Sequence, residues 1–539
     1  MVYLFKRHWS LFLALGSFFV VITVLLFISV IRNDGHLVYA LDDTYIHMAI
    51  AKNFVEYGVW GINKHNFTST SSSPLWTLLL SLTYLIFGVN EFSPFIMNII
   101  FATLIILQSY SLLRKYIFKP VYIFIILLLV IFVTPLTALV FIGMEHTLHL
   151  LLTISVVCLT AKILSNTKNK FKEHLLLLIL IMLINFVRYE GIFLMFIISV
   201  LLVIRKRFLY SLLIVFFGLS PIVIYGIISI LNGWYFFPNT ILIKSKIPEF
   251  SVIGFFKFFH RFSYQIVTNS DILVLLIVAM FFIVLDILKK NKLWTEQTIM
   301  LIILVSLTFL HMLFAETGSF LRYEAYLVGL GILILSIVMN TYLPDKIFIN
   351  LDKTSIQKYL AIGVLIGFTI LPFMERGYLA LRNITQATTN IYEQQYQMGL
   401  FLKKFYQGEV VAANDIGAIN FLADIDCFDL WGLANLDVAK LKLDRRYNSV
   451  HINELTKKKG VKIAIVYDHW FDLENIGGIP AQWIKIGQWK ILNNIVCGGD
   501  IVSFYAVNTT EKNNLIKNFI EFSYEIPEDV IIYKISPAH

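Results

Sequence analysis

Residues Leu11 to Ile31 read LFLALGSFFVVITVLLFISVI. As a helix, that run is long enough to cross roughly 30 Å of hydrocarbon. It exceeds the apolar core of a secretory signal and has no small-residue cleavage site behind it, so it predicts a retained membrane anchor. Lys6-Arg7-His8 precedes it and sets the N-terminus inside. Comparable apolar runs recur along the chain. The 539 residues are 58% hydrophobic and 15% charged, with a mean hydropathy of +0.76. That composition predicts an α-helical polytopic membrane protein.

The net charge of +9 sits in short loops between apolar runs. There it serves topology rather than nucleic-acid binding. The three cysteines impose no framework. Cys158 lies in an apolar run, and Cys427 and Cys497 could pair without the sequence requiring it.

Immediately after the first span comes Leu41-Asp42-Asp43-Thr44-Tyr45-Ile46-His47, inside a first external loop of residues 32–73. Ile46, Ile50, Phe54 and Tyr57 recur at helical spacing, and Gly58 supplies a stop. One aspartate is accounted for by capping this helix. Two adjacent carboxylates at a membrane surface point to a general base as well. Thr68 to Ser73 is a hydroxyl run ending at Pro74. Ser73 as cap and Pro74 at the first helical position start the next helix; the remaining hydroxyls suit loop solubility.

Leu75 to Leu113 holds two apolar pieces broken around Gly88 to Pro94. If the first piece is short or re-entrant, Arg114, Lys115 and Lys119 fall inside. The later basic groups, Lys162 to Lys172, Arg205 to Arg207 and Lys289 to Lys292, then fall inside too. Several later spans are near 14 residues. A long external loop runs from Leu231 to Asp271. The chain makes about eleven net crossings. Asp42, Asp43, Glu145, His146, Arg188, Glu190 and Arg322 gather opposite the basic loops, although only Lys and Arg placed the loops.

Residues 1–374 thus form a membrane domain. Residues 375–539 change character and form an extracytoplasmic α/β domain. Val410 to Ala413 and Val461 to Val466 are strand-length apolar runs, each following a helix-like stretch. Asn414-Asp415-Ile416-Gly417-Ala418 is either a ligand loop at a strand's carboxyl end or a plain turn.

Adjacent carboxylates at the outer face of a lipid-facing bundle suit glycosyl transfer from a lipid-phosphate sugar. Asp42 or Asp43 takes the acceptor proton, and Arg188, Lys244 or Arg322 meets the leaving phosphate. Glu145 and His146 orient a substrate. A flippase without chemistry is the alternative, but its expected repeated halves and midplane charges are not visible.

Leu41-Asp42-Asp43-Thr44-Tyr45-Ile46 followed by Thr70-Ser71-Ser72-Ser73-Pro74-Leu75-Trp76 resembles the first external loop of GT-C membrane glycosyltransferases. The nearest branch is the bacterial one that includes terminal arabinofuranosyltransferases. Protein mannosyltransferases and aminoarabinose transferases are more distant kin. Gly143-Met144-Glu145, Arg188-Tyr189-Glu190-Gly191, Phe237-Pro238-Asn239-Thr240 with Lys244, Arg322-Tyr323, Asp415-Ile416-Gly417-Ala418 and Asp429-Leu430-Trp431-Gly432-Leu433 follow in the family's order. The resemblance implies an inverting transferase of the bacterial plasma membrane and cell envelope. It implies a polyprenyl-phosphate sugar donor and a glycan, lipid or protein acceptor. Asp42 and Asp43 would carry the base; Arg188, Lys244, Arg322, Glu145, His146 and Glu190 would hold the donor. No cofactor or metal is implied. At Arg188-Tyr189-Glu190 the family usually has a proline after the arginine and an aspartate before the glycine, so donor identity does not carry over.

Overall fold

The computed structural model describes residues 2–534 apart from 118, 167–169, 245–251, 291–293, 319, 343–352 and 473–475. Apolar helices run between two ends of a bundle. One end collects the basic loops. There Lys115 pairs with Glu296 and Lys162 with Glu173. Arg205 stacks on Trp294, and Arg205 and Arg207 donate to the carbonyls of Leu164 and Ile163. The other end collects the polar motifs and carries the sheet domain.

Among the described residues, eight helices are long and apolar enough to cross a membrane. Phe171–Val187, Gly191–Ile204 and Lys353–Ile391 are further helices of the bundle. Pro74–Phe87 is a 14-residue helix. Both its ends lie near the polar end of the bundle: Ser71 and Thr77 meet His47 there, and the loop after it meets Tyr39 through Glu91. It therefore dips without crossing, and Ser93–Tyr116 makes the first return.

Several helices are longer than the hydropathy runs suggest. His146–Ser165 has 20 residues and Ser270–Lys290 has 21, because polar residues at the ends continue the backbone hydrogen bonds beyond the apolar stretch. The stretch read as one loop from Leu231 to Asp271 contains two helices, Asn239–Lys244 and Val252–Thr268. Helix Lys353–Ile391 passes through Tyr392–Tyr396, a π turn, into Gln397–Phe405 without a break.

The sheet domain has six strands: β1 Val410–Ala413, β2 Asp426–Asp429, β3 Ile463–Val466, β4 Ile484–Lys490, β5 Ile501–Ala506 and β6 Ile531–Lys534. Their order is β2-β1-β3-β5-β4-β6. β1 pairs in parallel with β2 and β3, and the remaining pairs are antiparallel. The fold is therefore a helical membrane bundle with a small C-terminal α/β domain. Ile46 and Ile50 from helix Asp42–Tyr57 join the core of that domain, beside Ile416, Ile419 and Phe401. Cys158, Cys427 and Cys497 are free thiols.

Candidate active site

The helix Asp42–Tyr57 starts at Leu41, whose neighbours give it no side-chain cap. Its two acidic residues face different partners. Asp42 accepts from the backbone N–H of Gly417 at 2.7 Å and of Ala418 at 2.8 Å. It therefore caps a helix, but that of the sheet domain, Ala418–Leu422, rather than its own. A Cβ on Gly417 would lie 2.0 Å from the Asp42 carbonyl oxygen, so glycine is what allows this approach. Burial, with the Asp415 charge, pushes the Asp42 carboxyl up to about 8, against the two N–H donors.

Asp43 turns the other way. Its Oδ2 lies 2.8 Å from Arg322 Nη2. The Asp43 side chain is 30% exposed while Arg322 is nearly sealed, at 4%. Arg322 also donates to the Tyr323 hydroxyl at 3.0 Å and to the Met144 sulfur at 2.9 Å. Its Nε has no protein partner. Tyr323 lies between two guanidiniums, with Arg322 4.8 Å and Arg188 5.4 Å from the ring centre. Arg188 donates to Glu145 at 2.6 Å and, in a two-pronged contact, to Glu190 at 2.6 and 3.1 Å. Burial pushes the Glu190 carboxyl up, but Arg188 overrides it and holds it down to about 2. Glu145 is fully buried, and its second oxygen lacks a protein partner, as does His146 Nε2. His146 meets the Tyr323 ring edge-on at 6.2 Å.

The sequence candidates Asp43, Arg322, Arg188, Glu145, Glu190 and His146 thus form one connected array through Tyr323, while Asp42 lies beside it on the same cavity wall, bonded to the sheet domain. Lys244 closes helix Asn239–Lys244, and its side chain lies outside the described residues. Tyr323 is the link between the two arginines, a role that the Arg322-Tyr323 pair does not signal in the sequence. His47 carries no such signal either. It is buried, with Nδ1 2.8 Å from Thr77 Oγ1, and burial lowers its pKa.

The remaining motifs pack the external loops onto the bundle and join them to the sheet domain. Gly143 has φ +71°, and a Cβ there would meet the Tyr39 ring at 2.4 Å; Thr44 donates to the neighbouring Ile142 carbonyl. Thr70 donates to the Leu433 carbonyl at 3.1 Å, and Asn239 to the Gly432 carbonyl at 2.9 Å. Ser69 meets Ser229 at 2.9 Å. Thr68 to Ser71 are buried, so the hydroxyl run is a docking element rather than a solvated loop. Its starting role for the next helix reduces to the Ser73 backbone, since the Ser73 hydroxyl makes no capping bond. Asp429 shapes the receiving loop by accepting from the N–H of Trp431 and Ala434 at 2.7 and 2.6 Å.

Two cavities flank helix Asp42–Tyr57. At its start, a cavity of about 370 Å³ lies between bundle and sheet domain, with Asp42, Asp43 and Arg322 on one wall and Asp415, Trp431 and Trp470 on the other. At its far end, a groove of about 690 Å³ is lined by Phe54, Trp60, Phe67, Met182, Phe186 and Ile224 among others. The first is polar and acidic; the second is apolar enough for a hydrocarbon chain. Among the described residues, no group of His, Cys, Asp and Glu is placed to hold a metal ion.

A domain of unknown function (DUF8728) matches residues 386–505. No curated protein sequence matches the chain. Among solved structures, the chain is similar to ArnT from Cupriavidus metallidurans in two crystal structures. The one bound to undecaprenyl phosphate gives a TM-score of 0.51, and the apo state gives 0.50. In both, identity is 12% and the match covers 92% of this chain and 99% of ArnT. At that identity the likeness is one of fold, and the fold is GT-C, shared with ArnT.

Proposed function

We propose that the protein is an inverting glycosyltransferase that moves a sugar from a polyprenyl-phosphate donor to an acceptor on the non-cytosolic side of a bacterial plasma membrane. The observation that carries this reading is the Asp43–Arg322 pair on the wall of a cavity between bundle and sheet domain. The ArnT crystal structure with undecaprenyl phosphate supports a lipid-phosphate donor. The ordered motifs favour the arabinofuranosyltransferase-like branch.

Asp43 is the base. It takes the proton from an acceptor hydroxyl as that oxygen bonds to the anomeric carbon. The bond from that carbon to phosphate breaks, and the phosphate leaves with the electron pair. Arg322 meets the developing charge. Its 2.8 Å contact with Asp43 orients the guanidinium before the donor arrives, and its unpartnered Nε is a ready donor. Arg188 is already satisfied by Glu145 and Glu190, so its part is to hold Tyr323 and Arg322 in place. His146 and Glu145 keep unpartnered atoms for sugar hydroxyls. The apolar groove houses part of the prenyl chain. Asp42 is the clip between domains, not the base.

The test is turnover in vesicles supplied with the host's polyprenyl-phosphate sugars, together with mass spectrometry of host surface glycans. Asp43→Asn should keep the fold and lower release of polyprenyl phosphate by about 10²–10⁴-fold, with one surface sugar missing. An active Asp43→Asn protein ends the base assignment. Movement of the lipid across the vesicle without release of polyprenyl phosphate ends the transferase reading.

A further inference from the structure

The sheet domain brings three strand ends to one place. Asn414 and Asp415 follow β1, Trp431 follows β2 and Trp470 follows β3. These are the parallel strands, and β1 sits between the other two. The chain leaves β1 toward β2, then returns to β3 on the opposite side of β1. In open α/β sheets the carboxyl ends beside such a reversal form a crevice that takes ligands. Here the crevice faces Asp43 across the 370 Å³ cavity.

Its lining has a definite chemistry. Trp431 and Trp470 are partly exposed, with ring centres 4.6 Å apart. Lys442 braces Trp431 from behind, its Nζ 3.2 Å from the ring centre, and burial pushes that ammonium down to about 7. Asn414 is 4% exposed, and its Nδ2 donor has no protein partner. Asp415 is held in place by Gln395 Nε2 at 2.8 Å and the Tyr467 hydroxyl at 2.9 Å. Among the described residues, the carboxylic and basic side chains on the cavity wall are Asp42, Asp43, Asp415 and Glu316 with Arg322. Indole faces suit the C–H face of a sugar ring, and carboxylate and amide suit its hydroxyls. With Asp42 protonated near neutral pH, three carboxylates remain against one cation, and Asp415, on the wall opposite Arg322, repels an anionic acceptor.

We propose that the crevice formed by Asn414, Asp415, Trp431 and Trp470 is the acceptor subsite, and that it takes an uncharged or cationic saccharide. This rests on the transferase reading and narrows its acceptor from glycan, lipid or protein to a sugar without acidic groups. The donor sugar is separated from it, because the donor's carrier lies on the bundle side of Asp43.

The test uses the full-length protein in detergent on an array of neutral, amino-containing and anionic oligosaccharides, alongside native mass spectrometry of undecaprenyl phosphate binding. Capture of neutral or amino glycans is expected. Trp470→Ala and Asp415→Asn should each weaken capture by about tenfold, Trp470→Phe much less, and undecaprenyl phosphate should bind all variants as it binds wild type. If Trp470→Ala does not fold, Asp415→Asn decides. Preference for phosphorylated, sulfated or uronic glycans, capture of none, or indifference to Asp415→Asn overturns the subsite. Lost undecaprenyl phosphate binding with glycan capture intact overturns the donor reading instead and leaves the subsite standing.

Discussion

Asp42 and Asp43 are chemically identical neighbours with separate environments. Asp42 is buried under two N–H donors of the sheet domain, and Asp43 faces Arg322 and the cavity. Replacing Asp42 by Ala should cost about 1–3 kcal/mol of stability, because two buried donors lose their acceptor; thermal unfolding in detergent measures it. The pH dependence has a definite sign. The Asp42 carboxyl is raised from 3.8 to about 8 in the folded protein. The native state therefore holds a proton that the unfolded chain releases, and the stability this confers is complete below the unfolded value and lost as pH rises through the folded one. Wild type should lose melting temperature between about pH 4 and pH 8, and Asp42→Asn should flatten that slope. A slope unchanged in Asp42→Asn would mean that another group carries the titration.

Arg322 owes its aim to the segment from Glu316 to Glu324. Phe320 and Leu321 both have φ +63°, a left-handed conformation that bulky residues adopt only under constraint. Arg376 supplies that constraint. It donates to the Leu321 carbonyl and pairs with Glu324 at 2.7 Å and Asp271 at 3.1 Å. Glu324 in turn accepts from the Gly318 N–H at 3.1 Å. Arg376→Gln should destabilise by about 3–5 kcal/mol, since it strands buried carboxylates, and should also loosen undecaprenyl phosphate binding if Arg322 meets the phosphate. Melting temperature and native mass spectrometry read the two effects. None of this was legible in the sequence. Arg376 lies 52 residues from Glu324 and 105 from Asp271, and no local pattern marks either pairing. The apolar spans were legible because a bilayer dictates their length and composition along the chain. The short dipping helix was legible through its basic neighbours, whereas the two helices inside Leu231 to Asp271 were hidden by aromatic and polar residues that give no continuous apolar run.

At the scale of the whole molecule, the site exists only where bundle and sheet domain meet. The motifs that sequence reading collected were individually short, and their shared purpose became visible only as contacts: Asp42 on Gly417, Thr70 on Leu433 and Asn239 on Gly432. Gly417→Ala should cost about 1–3 kcal/mol by forcing the Asp42 backbone away, and limited proteolysis should then cut more readily near residues 414–434. Thr70→Val with Asn239→Ala should weaken the same junction by about 1–2 kcal/mol, read as faster hydrogen exchange in the loop after β2.

The covalent adjacency of clip and base has a consequence for wasteful hydrolysis. A glycosyl phosphate beside an activated carboxylate is vulnerable to water whenever no acceptor is seated. Because one peptide bond separates Asp42 from Asp43, lifting the sheet domain off Gly417 also disturbs the carboxylate that would activate that water. Idle consumption of the carrier-linked sugar should therefore fall, rather than rise, when the junction is loosened by Gly417→Ala. Donor breakdown measured without acceptor would show it.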